Sequence, residues 1–198
     1  MYQFNLNFYN LFFTLFITIT CIIISCNSIN PTKTNFNKFI KKECDSTDYP
    51  QLCYMTLSPY ASKINNSRQK LCYVALSVTL SATKNTSKIV TKVSKKDGPK
   101  LNKTEAGAIK DCIEEIGYSI DEIKQSLDEI KTYKKGFNSM YVRSNVITWV
   151  SAAITDEITC LDGLDEAHVR LTTKKKISPS VLRSLKLLSV TLSLLNRL

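Results

Sequence analysis

The chain has 198 residues, and its 27 basic and 17 acidic side chains give a formal net charge of +10. This length is enough for one domain with a single hydrophobic core. The basic balance favours an acidic partner such as an extracellular polyanion, but the basic runs lack the interleaved aromatic residues and the motifs of a nucleic-acid-binding surface.

The first element is an apolar run at residues 11–24, followed by the small or polar residues 25–28. The run is shorter than the roughly 20 residues that span a bilayer, so it predicts a cleaved signal peptide at 1–28 and a secreted domain at 29–198. No Lys or Arg precedes the run, so only the amino group supplies positive charge there. The alternative is a signal anchor that is retained. If the leader is cleaved, the mature protein is not expected to associate with a membrane.

Seven cysteines are present, and Cys21 and Cys26 fall in the predicted leader. The five that remain are an odd number, so one thiol is left unpaired. Cys44 and Cys53 bracket a segment with turn-forming Asp and Pro, which predicts a first bridge between them. No CxxC pair occurs and His168 is the only histidine, so no structural metal and no cofactor is expected. We interpret residues 36–62, which carry two prolines, as an N-terminal hairpin of short helices.

The clearest helix is predicted at residues 104–133, where Ile and Leu recur in steps of three and four. Asn102 and Glu105 form a capping box at its start, and Gly136 follows its end. Three further amphipathic segments are predicted at 69–93, 140–161 and 179–198. Ser178 and Pro179 are the expected cap and first residue of the last one.

Short connections between these helices favour an all-α fold, an antiparallel up-and-down four-helix bundle at 69–198 with the hairpin as an extension. Asp97-Gly98 and Asp162-Gly163 are both interpreted as helix connectors. The basic runs at 95–96, 134–135 and 174–176 are interpreted as solvated charge in loops and at helix ends.

The sequence offers no catalytic constellation. His168 has no fixed Ser or Cys neighbour, and there is no Gly-rich phosphate loop. The many carboxylates of the second long helix fall away from its apolar stripe, where solvated acidic residues are normal. The chain is therefore predicted to bind a protein and not to be an enzyme.

Four segments carry a resemblance to a known family: CDSTDYPQLC from Cys44, Asp111-Cys112, the stretch TWVSAAITDEITCLDGL at 148–164, and the closing LLSVTLSLLNRL. Together they resemble the plant invertase and pectin methylesterase inhibitor family over nearly the whole mature chain. The resemblance implies a four-helix bundle with an N-terminal hairpin and two disulfides, Cys44 with Cys53 and Cys112 with Cys160. Cys72 then remains as a buried, inert thiol, and an intermolecular disulfide through it is the sharper alternative.

Two targets occur on this scaffold, and the segment at 49–52 and the block at 148–163 resemble the pectin methylesterase inhibitors. The resemblance implies a monomer that covers the esterase cleft in a one-to-one complex without a covalent step, in the apoplast. Inhibition of an acid invertase is the first alternative, and a pectin-binding or pro-region-like protein is the second. The candidate interface residues are Asp121, Lys124, Asp128, Thr155 and Asp156, and the two expected structural residues are Thr159 and Trp149.

Three sequons begin at Asn65, Asn85 and Asn102. They fit passage through the secretory route and are the candidate glycosylation sites. Asn85 lies inside a predicted helix, so a glycan there requires that its face of the helix is exposed.

Overall fold

The computed structural model describes residues 31–132 and 136–198, so the predicted leader at 1–28 and the lysines at 134–135 lie outside the described residues. The described part is helical and contains no β-strand, which confirms the all-α prediction. A compact unit spans Phe36–Leu198. The α-helices are α1 Pro31–Cys44, α2 Pro50–Leu57, α3 Ala61–Ile64, α4 Arg68–Asp97, α5 Lys103–Thr132, α6 Met140–Glu166 and α7 Leu171–Leu195, with short 3-10 turns at Ser58–Tyr60, Gly98–Lys100 and Gly136–Asn138.

The four long helices form the predicted antiparallel bundle. Each of them packs against its chain neighbours, and α7 also packs against α4, so the four helices close a ring. Thr79 of α4 is hydrogen-bonded to Thr191 of α7, and Thr86 is hydrogen-bonded to Ser180. The residue numbers rise along α4 while those of the partners in α7 fall, so the two helices are antiparallel. No helix within 31–132 and 136–198 has the length and apolarity that a membrane span requires.

The bundle core consists of two hydrophobic clusters with a polar layer between them. One cluster surrounds Ile123 and Val146, and the other surrounds Ile109 and Leu164. Each long helix contributes one polar side chain at the level where the clusters meet, and all four are almost fully buried: Thr86, Ser119, Glu157 and Ser184. The Ser184 hydroxyl donates to Glu157 Oε2 at 2.8 Å. Burial of a carboxyl group is costly unless it is hydrogen-bonded or uncharged, so this layer sets the behaviour of Glu157.

The predicted capping box is present at the start of α5. The Glu105 amide donates to Asn102 Oδ1 at 2.8 Å, and the Asn102 amide donates to Glu105 Oε2 at 2.9 Å. Ser67 and Ser139 cap α4 and α6 in the same way, because their hydroxyls accept from the amides of Lys70 and Val142. Local side-chain chemistry therefore fixes the first turn of three long helices.

Two predicted helix boundaries are wrong. Asp162-Gly163 is not a connector, because α6 continues to Glu166 and buries Leu164 fully. The connection instead turns at His168, whose φ is 50°. The last helix begins at Leu171 and not at residue 179, so Pro179 lies inside it.

Tertiary contacts explain why α7 begins before its proline. Thr173 Oγ1 donates to Asp97 Oδ2 at 3.0 Å, and Lys176 Nζ donates to Asp97 Oδ1 at 2.9 Å. Ile177 is fully buried in the second hydrophobic cluster. These contacts hold the first two turns against α4, and Pro179 removes only one backbone donor from the helix.

The N-terminal hairpin is closed by the Cys44–Cys53 disulfide. Its helix α2 contacts both α4 and α7, and Leu57 is buried in the first hydrophobic cluster. Arg197 donates through Nη1 to the carbonyl of Glu43 at 3.0 Å, and Ser189 donates through its hydroxyl to Asp48 Oδ2 at 2.6 Å. The hairpin therefore joins the beginning and the end of the described chain.

Cys72 is the free cysteine of the described residues, and it is buried at 1% exposure. Burial raises the pKa of its thiol to about 12, and the nearby negative charge of Glu43 adds to the shift. The thiolate is the reactive form of cysteine, so this environment favours an inert thiol.

Candidate functional site

The face of the bundle formed by α5 and α6 is the candidate functional site. Cys112 of α5 and Cys160 of α6 form the second disulfide, with their Cα atoms 4.2 Å apart. These are the cysteines that the resemblance paired. The bridge holds the two helices together near one end of the bundle, so their shared outer surface is fixed before any partner binds.

A groove of about 590 Å³ runs along this surface beside the disulfide. Small residues dominate its floor and carboxylates stand at its rim. Its lining residues are Thr104, Gly107, Ala108, Asp111, Cys112, Glu115, Thr159, Cys160, Gly163, Glu166 and Ala167. A Cβ atom added to Gly107 or Gly163 would meet no other atom within 4 Å, so the space above both glycines is open. The two helices thus present an accessible backbone that a partner side chain can approach.

Carboxylates continue along α5 and α6 from the groove. Burial raises the pKa of Asp156 to about 6, and the negative charges of Glu115 and Glu122 add to the shift. Burial also raises the pKa of Glu122, with a contribution from Asp121. Asp156 Oδ2 and Glu122 Oε2 are buried without a hydrogen-bond partner. This face therefore loses negative charge at mildly acidic pH sooner than free carboxylates would.

The structure places two of the five candidate interface residues next to the groove. Thr155 is exposed and Asp156 is half-buried, both in the turn of α6 that precedes Thr159. Asp121 and Asp128 are exposed, but at 100° per residue they lie about 80–100° around α5 from Asp111.

Those two aspartates pair with neighbouring lysines on α5. Lys124 Nζ lies 2.8 Å from Asp121 Oδ1, and Lys131 Nζ lies 3.3 Å from Asp128 Oδ1. Exposed pairs of this kind contribute little to stability, about 0.2–0.5 kcal/mol. Asp121, Lys124 and Asp128 therefore belong to a different strip of surface from the groove.

The residues expected to be structural have modest roles. Thr159 is exposed in the groove, and its hydroxyl donates to the carbonyl of Thr155 at 2.9 Å. This is a local hydrogen bond within α6 and not a link between helices. Trp149 is half-buried on α6.

One end of the groove is anchored by Glu105. Its carboxylate accepts from the Arg170 amide at 2.9 Å, from Arg170 Nε at 3.1 Å and from Arg170 Nη2 at 2.8 Å. These bonds and the capping bond from the Asn102 amide hold its pKa at about 2, well below the usual range. The connection between α6 and α7 is thereby tied to the first turn of α5.

Formal charge is divided between the two halves of the bundle. Helix α4 has seven basic side chains and one acidic, and α7 has five basic and none acidic, so this pair carries +11. Helix α5 has four basic and eight acidic, and α6 has one basic and five acidic, so that pair carries −8. The basic runs at 95–96 and 174–176 lie within helices, the first in the last turn of α4 and the second near the start of α7.

The described residues present no reactive group at the groove. His168 is exposed, and its Nδ1 lies 3.1 Å from the carbonyl oxygen of Asp165. Among residues 31–132 and 136–198 there is no cluster of three or more His, Cys, Asp or Glu that could hold a metal ion. What this surface offers a partner is hydroxyl, carboxylate and open backbone. The three sequon asparagines, Asn65, Asn85 and Asn102, are all exposed, including the one inside α4.

Comparison with known proteins adds three findings. The family model described as plant invertase/pectin methylesterase inhibitor matches residues 38–194. Pectinesterase inhibitor 9 of Arabidopsis thaliana is 39% identical over 187 residues, covering 92% of this chain and 91% of that protein. Pectinesterase inhibitor 4 of the same plant is 38% identical over 184 residues, covering 88% and 92%.

The fold also has a solved counterpart. A crystal structure of a mutant form of a pectin methylesterase inhibitor from Arabidopsis matches with a TM-score of 0.60 and covers 80% of this chain and 96% of that one. At 18% identity this likeness concerns the fold alone.

Proposed function

This chain belongs to the plant invertase and pectin methylesterase inhibitor family, and from this we propose that it inhibits a pectin methylesterase. The observation that carries the proposal is its likeness to pectinesterase inhibitors over nine-tenths of both chains. The family consists of inhibitors, so the chain acts by binding an enzyme and not by catalysing a reaction.

The inhibitory surface in this proposal is the α5–α6 groove with its carboxylate rim. The bundle lays this face over the active-site cleft of the esterase in a one-to-one, non-covalent complex and keeps pectin out. The disulfide between Cys112 and Cys160 supports this assignment, because a surface fixed in advance loses little conformational entropy on binding. The lack of a nucleophile and base on this face is consistent with steric inhibition.

The same proposal places the protein in the cell wall as a monomer. Residues 1–28 act as the signal peptide, and the domain at 29–198 controls pectin demethylesterification outside the cell. The two disulfides support this location, because such bonds persist in oxidising compartments. The exposed sequons at Asn65, Asn85 and Asn102 are open to glycosylation on that route.

Parallel titration tests the target. We expect the purified mature chain to abolish the activity of a plant pectin methylesterase at one equivalent and to leave an acid invertase fully active. Inhibition of the invertase alone would show that the target is an acid invertase and not a pectin methylesterase. Inhibition of neither enzyme would contradict the inhibitory function and leave a pectin-binding or pro-region-like role.

Filling the groove tests the surface. A Gly163→Trp variant is expected to raise the inhibition constant at least about 100-fold, equivalent to about 2.7 kcal/mol, because the indole occupies the space where the esterase docks. Tryptophan has a higher helix propensity than glycine, so the helix should persist, and circular dichroism checks this.

The matched control is Gly117→Trp. Gly117 also has open space above it, but it lies on the opposite side of α5 from Ala108. Equal loss of inhibition in both variants, or none in either, would show that the groove is not the docking surface. Loss in Asp121→Ala and Asp128→Ala with full activity in Gly163→Trp would move the interface to the outer strip of α5.

A further inference from the structure

The solvent face of α4 carries a row of five lysines, which we call the lysine row: Lys84, Lys88, Lys92, Lys95 and Lys96. Four of them follow one another at intervals of four residues, and in a helix such residues stand above one another about 6 Å apart. The row is therefore about 18 Å long. A shallow groove of about 570 Å³ runs along the C-terminal part of the row. It is lined by Ser87, Lys88, Thr91, Lys92, Lys95 and Lys96.

Within the described part of the chain, none of these lysine side chains has an ion pair or a hydrogen bond. The acidic residue of α4 is Asp97, and it is occupied by Lys176 and Thr173. The ion pairs of the other long helices show that lysines here do pair where a carboxylate is near, as Lys124 does with Asp121. The lysine row therefore presents positive charge that nothing in the described molecule neutralises.

Helix stability does not account for this arrangement. Lysines in the last turn of a helix interact favourably with its dipole, which covers Lys95 and Lys96. Lys84, Lys88 and Lys92 lie further inside, and like charges four residues apart repel each other. Repulsion along the row is relieved when a polyanion binds to it.

We propose that the lysine row binds a polyuronate, an acidic polysaccharide with a carboxylate on each sugar. Lysine is a flexible point charge that suits a regularly charged chain, whereas fork-like pairing to phosphate is the property of arginine. Stacking of nucleic-acid bases requires exposed aromatic side chains, and Tyr73, far from the row, is the aromatic residue of α4.

The choice of a uronate over other polyanions rests on the proposed function. Pectin methylesterase removes methyl groups from pectin and leaves carboxylates, so polyuronate accumulates where the target enzyme has acted. The lysine row belongs to the half of the bundle that carries +11, and the proposed inhibitory groove belongs to the half that carries −8. One molecule can then hold the wall polymer and the enzyme on separate faces.

The test measures binding of the mature chain to polygalacturonate by affinity electrophoresis and titration calorimetry at low ionic strength. We expect binding that weakens as salt is added, because salt screens the attraction between exposed charges. The Lys88→Gln/Lys92→Gln/Lys96→Gln variant, which lacks three of the positive charges, should bind at least about tenfold more weakly. A matched variant, Lys38→Gln/Lys41→Gln/Lys42→Gln, removes three charges from α1 and should bind as the wild type does.

Three outcomes would overturn the proposal: equal binding by both triple variants, equal binding to fully methyl-esterified pectin, or equal binding to a DNA probe of the same charge. Inhibition of the esterase is measured separately on highly esterified pectin, and the lysine-row variant should keep it within about twofold. Loss of polyuronate binding with inhibition intact supports the proposal. Absence of inhibition in the wild type would instead contradict the proposed function.

Discussion

Removal of the Cys112–Cys160 disulfide is expected to lower the free energy of unfolding by about 4 kcal/mol. The two cysteines are 48 residues apart, and a cross-link stabilises mainly by restricting the unfolded chain, more so for a longer loop. The Cys112→Ala/Cys160→Ala variant avoids leaving buried hydroxyls in the second hydrophobic cluster. Urea unfolding without reductant measures the difference.

The matched control is Cys44→Ala/Cys53→Ala. Its cysteines are 9 residues apart, so the same chain-entropy argument gives a smaller loss, about 2.6 kcal/mol. A larger loss in this control than in the first variant would contradict the loop-length explanation. The Cys112→Ala/Cys160→Ala variant should also inhibit less well where it still folds, because α5 and α6 are then free to move against each other.

A Glu157→Gln variant is expected to be about 3 kcal/mol more stable than the wild type near pH 8 and equal to it near pH 4. Burial raises the pKa of Glu157 to about 7, against the lowering effect of the hydrogen bond from Ser184 and of the nearby Ser119 hydroxyl. The folded state therefore binds the proton more tightly than the unfolded state. Wild-type stability falls as pH rises from about 4.5 through 7, and glutamine does not titrate.

The groups that face Glu157 come from all four long helices. Ser119 of α5 and Ser184 of α7 act on its carboxyl group directly, and the charge of its own neighbour Asp156 also raises its pKa. Thr86 of α4 reaches this layer through Ser184, whose hydroxyl oxygen lies 3.5 Å from that of Thr86. Glutamine keeps an acceptor for Ser184 and adds a donor towards the Ser119 hydroxyl, which has no hydrogen-bond partner among the residues that the structure describes.

Urea unfolding of the wild type and the variant at several pH values measures this effect as the difference between their free energies of unfolding. Glu105 and Asp97 have lowered pKa values, so the stability that they contribute is lost in stronger acid, and it is lost equally in both proteins. The control is Glu114→Gln, which removes an exposed carboxylate of α5 and should change stability by less than about 0.5 kcal/mol at either pH. Parallel curves for wild type and Glu157→Gln across this range would contradict a buried, protonated Glu157.

Most of the fold could be predicted because local and periodic signals agree. The Ile spacing of α5 and the Asn102–Glu105 capping box are both properties of neighbouring residues, and both have their physical effect within one helix. The start of α7 could not be predicted in this way. Its first turns depend on Asp97, about 75 residues earlier, so the local rule that places proline at a helix start gave the wrong boundary.

The candidate site was only partly accessible from the sequence. The sequence predicts exposed carboxylates on α5, but the list of candidate residues ignores their angular position relative to the Cys112–Cys160 disulfide, which separates Asp121 and Asp128 from Thr155. Gly107 and Gly163 could not be predicted as groove residues, because a glycine in a helical sequence does not indicate whether the space above it is open. Glu157 could have been found, since it occupies the apolar register of α6 between Ala153 and Cys160, and so could the lysine row from its spacing of four.

The contacts of the hairpin also determine the order in which the protein can be completed. Its partners include Ser189 and Arg197, which are 141 and 154 residues after Asp48 and Glu43. During synthesis the hairpin emerges early and can contact α4, but the part of its docking surface that α7 supplies is missing until α7 has been made. Helices α4 to α6 can pair as they appear, whereas the ring of four helices closes only after α7 has been made.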